Sequence, residues 1–205
     1  MAAFVDDLAL DLFLLSLAGV VSIYITASAY IAYRRNKVTD VEEIMRPAVF
    51  PLGVIGGLIL LMGIAGELVW PLPGSYNILF FDPFTIFGII LVALAVALGL
   101  KHKLQFVGIL AFFSGLIAIY YGVNAYMDHM TSSPIAMLGL YIAFGLTGMF
   151  TYPTTLIYDL LPGKQNVSKG WTVVLVIFWI GLIVSAFLAA FTAIEAVPQH
   201  LLSPP

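Results

Sequence analysis

Residues 12–37 read LFLLSLAGVVSIYITASAYIAYRRNK, which is a run of 22 uncharged residues followed by three cations in four positions. A helix of about 20 mainly apolar residues is long enough to cross the hydrocarbon core of a bilayer. The pattern recurs along the chain and predicts an all-α integral membrane protein, a six-helix bundle in one polytopic domain over residues 1–205. The predicted spans are 12–33, 48–70, 84–100, 104–127, 135–158 and 171–194.

The composition supports lipid as the solvent. Hydrophobic residues make up 62% of the chain and charged residues 9%, which excludes an ordinary soluble globule. The chain has no cysteine, so disulfides, thiolate metal sites, iron–sulfur clusters and a cysteine nucleophile are excluded as well.

All eight cations fall in alternate connections between the predicted spans. They are Arg34, Arg35, Lys37, Arg46, Lys101, Lys103, Lys164 and Lys169. The positive-inside rule makes these connections cytoplasmic, and we therefore expect both termini outside and a multi-pass protein of the cell membrane.

Proline and acidic residues suggest where helices begin. Asp82-Pro83 and Ser133-Pro134 each place a good N-cap residue before a proline, so we expect the third and fifth helices to begin there. Asp6, Asp7 and Asp11 are interpreted as a solvated N-terminus. Pro153 should kink the fifth helix, with Thr151, Thr154 and Thr155 near the carbonyl that it frees.

Small residues four apart are interpreted as packing ridges, because helices in lipid associate through close van der Waals contact. The ridges are Gly53 and Gly57; Ser114, Ala118 and Gly122; Gly139, Ala143, Thr147 and Thr151; and Gly181, Ser185, Ala189 and Ala193. Similar Gly-Leu-Ile and Asp/Ser-Pro patterns suggest that helices 2–3 and 4–5 are repeated hairpins.

The segment WPLPGSYNILFFDP at 70–83, together with the MTSSP turn at 130–134, resembles a mainly archaeal family of multi-pass membrane proteins known only as a domain of unknown function. The resemblance covers most of the chain. It implies a polytopic fold and no particular activity. Length and helix count are also similar to those of proton-gated urea and amide channels, whose characteristic motifs are not found here.

The outer ends of the second, fourth and sixth helices each carry an acid. These acids are Glu67, Asp128 and Glu195, and with Asn124, His129 and His200 they could form a cation-attracting mouth. Glu67 is the most informative because it lies one turn inside Trp70, where an ionised carboxylate needs water, a partner or the bundle interior. Each acid could equally be a solvated residue on a surface from which cations are excluded.

The histidines bear on cofactors. His102, His129 and His200 lie outside the predicted spans, whereas haem ligands in membrane bundles lie within helices, so we predict no haem and no other cofactor. A divalent metal site formed from Glu67, Asp128, His129, Glu195 and His200 stays open. The cations are too few for nucleic-acid binding, and no signature of nucleophilic catalysis or nucleotide binding is present.

Three functions remain open. The first is binding or permeation of a small solute or cation through an outward-facing acidic vestibule that includes Glu67. The second is a non-catalytic accessory subunit or scaffold, in a homo-oligomer or a larger membrane complex such as a respiratory one. The third is an enzyme acting on a lipid or quinone, which the scarcity of polar residues at mid-depth disfavours.

The orientation can be tested with single cysteines. We expect Ser75→Cys and Ser203→Cys to react with an impermeant thiol reagent in intact cells, and Gln165→Cys to react only after lysis, because the cations mark the loop that contains Gln165 as cytoplasmic. Labelling at Gln165 alone would reverse the assignment.

Overall fold

The computed structural model describes residues 6–36, 38, 40–163 and 168–202, and every regular element within them is helical. The helices are α1 (Asp7–Asn36), α2 (Val41–Met45), α3 (Val49–Val69), α4 (Ser75–Gly99), α5 (Gln105–Met127), α6 (Pro134–Leu160) and α7 (Lys169–Leu202). A 3-10 turn, Arg46–Ala48, joins α2 to α3, and a second, Leu161–Gly163, follows α6.

Six of the described helical segments are long and apolar enough to cross a membrane, with α2 and α3 together forming one of them, Val41–Val69. This confirms the prediction of an all-helical bundle of six spans. All Lys and Arg residues among the described ones lie at one end of the bundle, which we call the basic end. The opposite end, with Glu67 and Asp128, is called the acidic end.

The largest error of the sequence prediction concerns the third span. We expected this helix to begin after Asp82, whereas α4 begins at Ser75 and continues through Asp82 and Pro83. Asp82 is therefore not an N-cap. By contrast, α6 does begin at Pro134 with Ser133 at the N-cap position, although the Ser133 side chain makes no capping hydrogen bond.

The helices associate most closely in three pairs, α3 with α4, α5 with α6, and α1 with α7. Glycines allow the close approach in the first two pairs. Gly56, Gly63 and Gly66 face α4, and Gly108, Gly115 and Gly122, seven residues apart, face α6. Seven residues are nearly two helical turns, so these glycines form a straight seam along one side of each helix.

The glycine seams revise the predicted packing ridges. A methyl group on Gly57 or Gly139 would meet nothing within 4 Å, and one on Gly53 would make only an ordinary contact with Ala95. These three glycines are thus not points of close packing. Two other glycines of the predicted ridges are points of close packing. Gly122 packs against Tyr141, and Gly181 packs against Thr147.

A carboxylate on α6 fixes the start of α5. The two oxygens of Asp159 accept hydrogen bonds from the backbone N–H groups of Leu104 and Gln105, both at 2.8 Å. A helix leaves its first N–H groups without intrahelical partners, and an acidic side chain satisfies them and favours the helix dipole. Asp159 thereby joins α5 and α6 at the basic end.

The seams predict opposite effects for two glycine substitutions. Gly115→Ala should destabilise the protein by about 1–3 kcal/mol, because its methyl group would lie 3.0 Å from the Met149 nitrogen and nearer still to the Gly145 carbonyl oxygen. Gly57→Ala should be neutral or stabilise by up to about 1 kcal/mol through helix propensity. Thermal unfolding in nanodiscs measures both, and equal effects would contradict the seam.

Candidate functional site

The loop between α3 and α4 is held by one buried amide. Trp70 ends α3 in the left-handed conformation (φ 54°), and Gly74 has a φ of 56° just before α4. Asn77 is completely buried; its amide donates to the Gly66 carbonyl at 3.1 Å, and its oxygen accepts from the Leu72 N–H at 3.3 Å. Sequence analysis missed this role, although an Asn between a Pro-Gly turn and an apolar run is a signal for it.

Glu67 and Asp82 come together across the α3–α4 pair. The tightest contact of the α3–α4 seam is the Phe81 ring on Gly66. Glu67 directly follows Gly66 in the sequence, and Asp82 directly follows Phe81. The two side chains lie close enough for their charges to interact. Glu67 is partly buried, and its Oε1 atom is enclosed without a hydrogen-bond partner.

Two tyrosines from the α5–α6 pair complete this region. The Tyr121 hydroxyl donates to Oδ2 of Asp82, and the Tyr141 hydroxyl donates to the Leu79 carbonyl. Leu79 lies four residues before Pro83, so its carbonyl is the one that the missing proline N–H would have bonded. Tyr141 therefore replaces the lost backbone hydrogen bond, which explains how α4 continues through Asp82-Pro83.

The described cations are far from this pair of acids. Two ion pairs lie at the basic end, where Glu43 contacts Arg46 at 3.5 Å and Lys101 at 3.8 Å. Two neighbouring carboxylates repel each other unless a proton or a cation lies between them. Glu67, Asp82 and Tyr121 therefore form a site able to take a proton or a cation, and we call it the acid site.

The other residues of the predicted vestibule do not join the acid site. Asp128 and His129 are exposed where α5 ends, and Glu195 is exposed on α7. The Asn124 amide donates to the Tyr120 carbonyl of its own helix at 2.7 Å. The side chain of His200 lies outside the described part of the chain. In that part no group of three or more His, Asp or Glu residues could hold a metal ion.

The N-terminal acids also differ from expectation. Asp6 is partly buried and accepts a hydrogen bond from the Ala9 N–H at 3.1 Å, as an N-cap residue would. Asp11 is completely buried in α1, so the interpretation of a solvated residue is wrong for it. The side chain of Asp7 lies outside the described residues.

A second candidate site lies at the centre of the bundle, toward the basic end. It is a cavity of about 150 Å³, to which all six spans contribute. Most of its wall is apolar, and the polar part consists of hydroxyl groups. The residues that carry them are Ser22, Thr26, Thr147, Thr151, Thr154, Thr155, Tyr158 and Ser185.

The threonines around Pro153 do not act as the sequence suggested. Thr151 donates to the Thr147 carbonyl at 2.9 Å and Thr155 to the Tyr152 carbonyl at 2.8 Å. The Thr154 hydroxyl is buried without a hydrogen-bond partner. The carbonyl that Pro153 frees belongs to Met149, so none of the three hydroxyls bonds it.

The fold and the acid site define a multi-pass helical membrane protein with ionisable groups inside its spans. Comparison with known families is more specific: residues 1–203 match the family described as "Protein of unknown function (DUF981)", and the chain belongs to that family. This confirms the resemblance to a family of unknown function. No curated protein and no solved structure matches the chain.

The replacement of a backbone hydrogen bond by Tyr141 can be measured as a coupling energy. Tyr141→Phe should destabilise the protein by about 1–3 kcal/mol, because the Leu79 carbonyl would be left unpaired in a buried position. In a Pro83→Ala background, the restored N–H can bond Leu79, and the same substitution should cost less.

The measurement is a double-mutant cycle by thermal or denaturant unfolding in a fixed detergent. We expect a coupling of about 1 kcal/mol or more between the two positions. Additive effects would show that Tyr141 does not compensate for Pro83.

Proposed function

We propose that this protein binds, or lets pass, a small solute or cation at the acidic end of its helical bundle in the cell membrane. The site is the acid site, narrower than the vestibule that the sequence suggests. The observation that carries the proposal is that the Glu67 and Asp82 carboxyl groups lie near each other within two membrane-spanning helices. Ionisable residues in such segments are costly and commonly mark an ion or substrate pathway.

The surroundings of the pair support this role. Glu67 presents an oxygen without a partner, and Tyr121 orients Asp82 through a hydrogen bond. Carboxylate oxygens are the ligands that hard cations such as Mg²⁺ and Ca²⁺ prefer. A proton would compete with the cation for the same oxygens, because either one relieves the repulsion between the two carboxylates.

The test compares cation-dependent stabilisation in matched variants. We expect the melting temperature of the wild type in nanodiscs to rise with added Mg²⁺ or Ca²⁺ at neutral pH and to rise less at acidic pH. A ligand that binds the folded state stabilises it by about 2.7 kcal/mol at 100 times its Kd. Glu67→Gln and Asp82→Asn should each remove most of this stabilisation.

The control is Glu195→Gln, which removes an exposed acid of α7 and should leave the cation effect unchanged. If Glu67→Gln, Asp82→Asn and Glu195→Gln all lost the same amount of cation-dependent stabilisation, the cation would be screening negative charge in general. Absence of any cation effect in the wild type would contradict cation binding and favour the accessory-subunit hypothesis, which copurification of partner proteins would then test.

A further inference from the structure

The central cavity is distinct from the acid site. Its lining on α6 extends from Phe144 to Tyr158, a distance of about 21 Å along a helix axis, so the cavity is long in the direction of the membrane normal. It ends toward the acidic end at Leu15, Phe87 and Phe144, which also line a smaller cavity beside Tyr141. The Phe87 and Phe144 rings are 5.3 Å apart between centroids.

Most hydroxyl groups in the wall already have partners. Tyr158 donates to the Thr26 carbonyl at 2.6 Å, Thr26 to the Ser22 carbonyl at 2.6 Å, and Thr147 is 3.0 Å from the Ser185 oxygen. The hydrogens of the Tyr158 and Thr26 hydroxyl groups are therefore already used within the protein, and the rest of the wall is mostly apolar. Apolar cavities of about 150 Å³ stay dry and admit small apolar molecules, since a water molecule needs two to four polar partners.

Thr154 is an enclosed exception in this wall. Thr154 is 2% exposed. Several enclosed polar atoms of the described residues have no hydrogen-bond partner, and of these only the Thr154 hydroxyl belongs to a residue that lines the cavity. A buried hydroxyl without an acceptor is unfavourable, and native proteins seldom retain one without a reason. An oxygen acceptor on a bound molecule would supply the missing partner.

We propose that the cavity binds a small aliphatic molecule with one oxygen acceptor, its chain among the apolar side chains and its oxygen on the Thr154 hydroxyl. The long shape and the predominantly apolar wall select an unbranched chain. The enclosed hydroxyl of Thr154, which has no partner, favours one oxygen-containing group, such as an alcohol or a carbonyl. The site does not depend on the function proposed for Glu67 and Asp82.

The experiment uses photolabelling of the full chain in nanodiscs with a diazirine derivative of hexan-1-ol. We expect adducts on residues that line the cavity, for example Met45, Tyr158 or Phe178, and we expect excess hexan-1-ol to prevent them. Hexane should protect less well than hexan-1-ol. Adducts confined to lipid-facing residues, or adducts that excess hexan-1-ol does not prevent, would overturn the proposal.

Two threonine variants distinguish the role of Thr154 from a general effect. Thr154→Val should raise the hexan-1-ol concentration for half-maximal protection about 2- to 10-fold, the equivalent of one hydrogen bond. It should also fold normally, since the lost hydroxyl has no partner. Thr85→Val removes another enclosed hydroxyl without a partner, outside this cavity, and should not change protection.

Equal protection in wild type and Thr154→Val would overturn the assignment of the acceptor. Glu67→Gln serves as a further control and should bind the probe as the wild type does. Loss of cation stabilisation in that variant with unchanged labelling would separate the two sites, so that failure of one proposal leaves the other measurable.

Discussion

The hydrocarbon core offers no water to a backbone carbonyl, and this constraint underlies the whole structure. It explains why the described chain consists mainly of long helices. It also explains why a carbonyl that loses its helical hydrogen bond is bonded by a specific side chain. The clearest exception is Pro83, whose missing N–H leaves the Leu79 carbonyl to the Tyr141 hydroxyl of α6. Because α4 stays helical through this point, Asp82 lies inside the helix beside Glu67 and within reach of Tyr121. The acid site thus depends on a hydrogen bond that a tyrosine side chain of a different helix pair donates to the α4 backbone.

The glycine seams and the central cavity have a common origin. Seams bring α3 against α4 and α5 against α6, whereas contacts between the pairs, such as α4 with α5 and α1 with α3, are sparser. Close packing is thus concentrated within pairs, and the space where the pairs meet is filled by larger side chains and the cavity. Van der Waals contact drives helix association in lipid, so a volume that no side chain fills there lacks those contacts unless a ligand provides them.

The sequence predicted the six spans well because each depends on its own run of apolar residues. It failed where the partner of a residue lies far along the chain. Asp-Pro before an apolar run fits both an N-cap and a helix interior, and only Tyr121 and Tyr141, at least 39 residues away, distinguish the two. Asp11 likewise resembled a solvated acid because the sequence does not show which helices cover α1. Glu67 was identified because its cost depends on depth, a local property, whereas its partner Asp82 was not.

The two candidate sites lie in opposite halves of the bundle, and aromatic side chains separate them. A smaller cavity is lined by Pro83, which follows Asp82, and by Tyr141. Phe87 and Phe144 line both this cavity and the central one. Phe87 lies on the same helix as Asp82, little more than one turn away, and Phe144 is three residues beyond Tyr141. Movement of α4 relative to α6 would therefore shift the acid site and the aromatic pair together. Binding at the acid site can influence access to the cavity only to the extent that it favours one arrangement of these two helices over another.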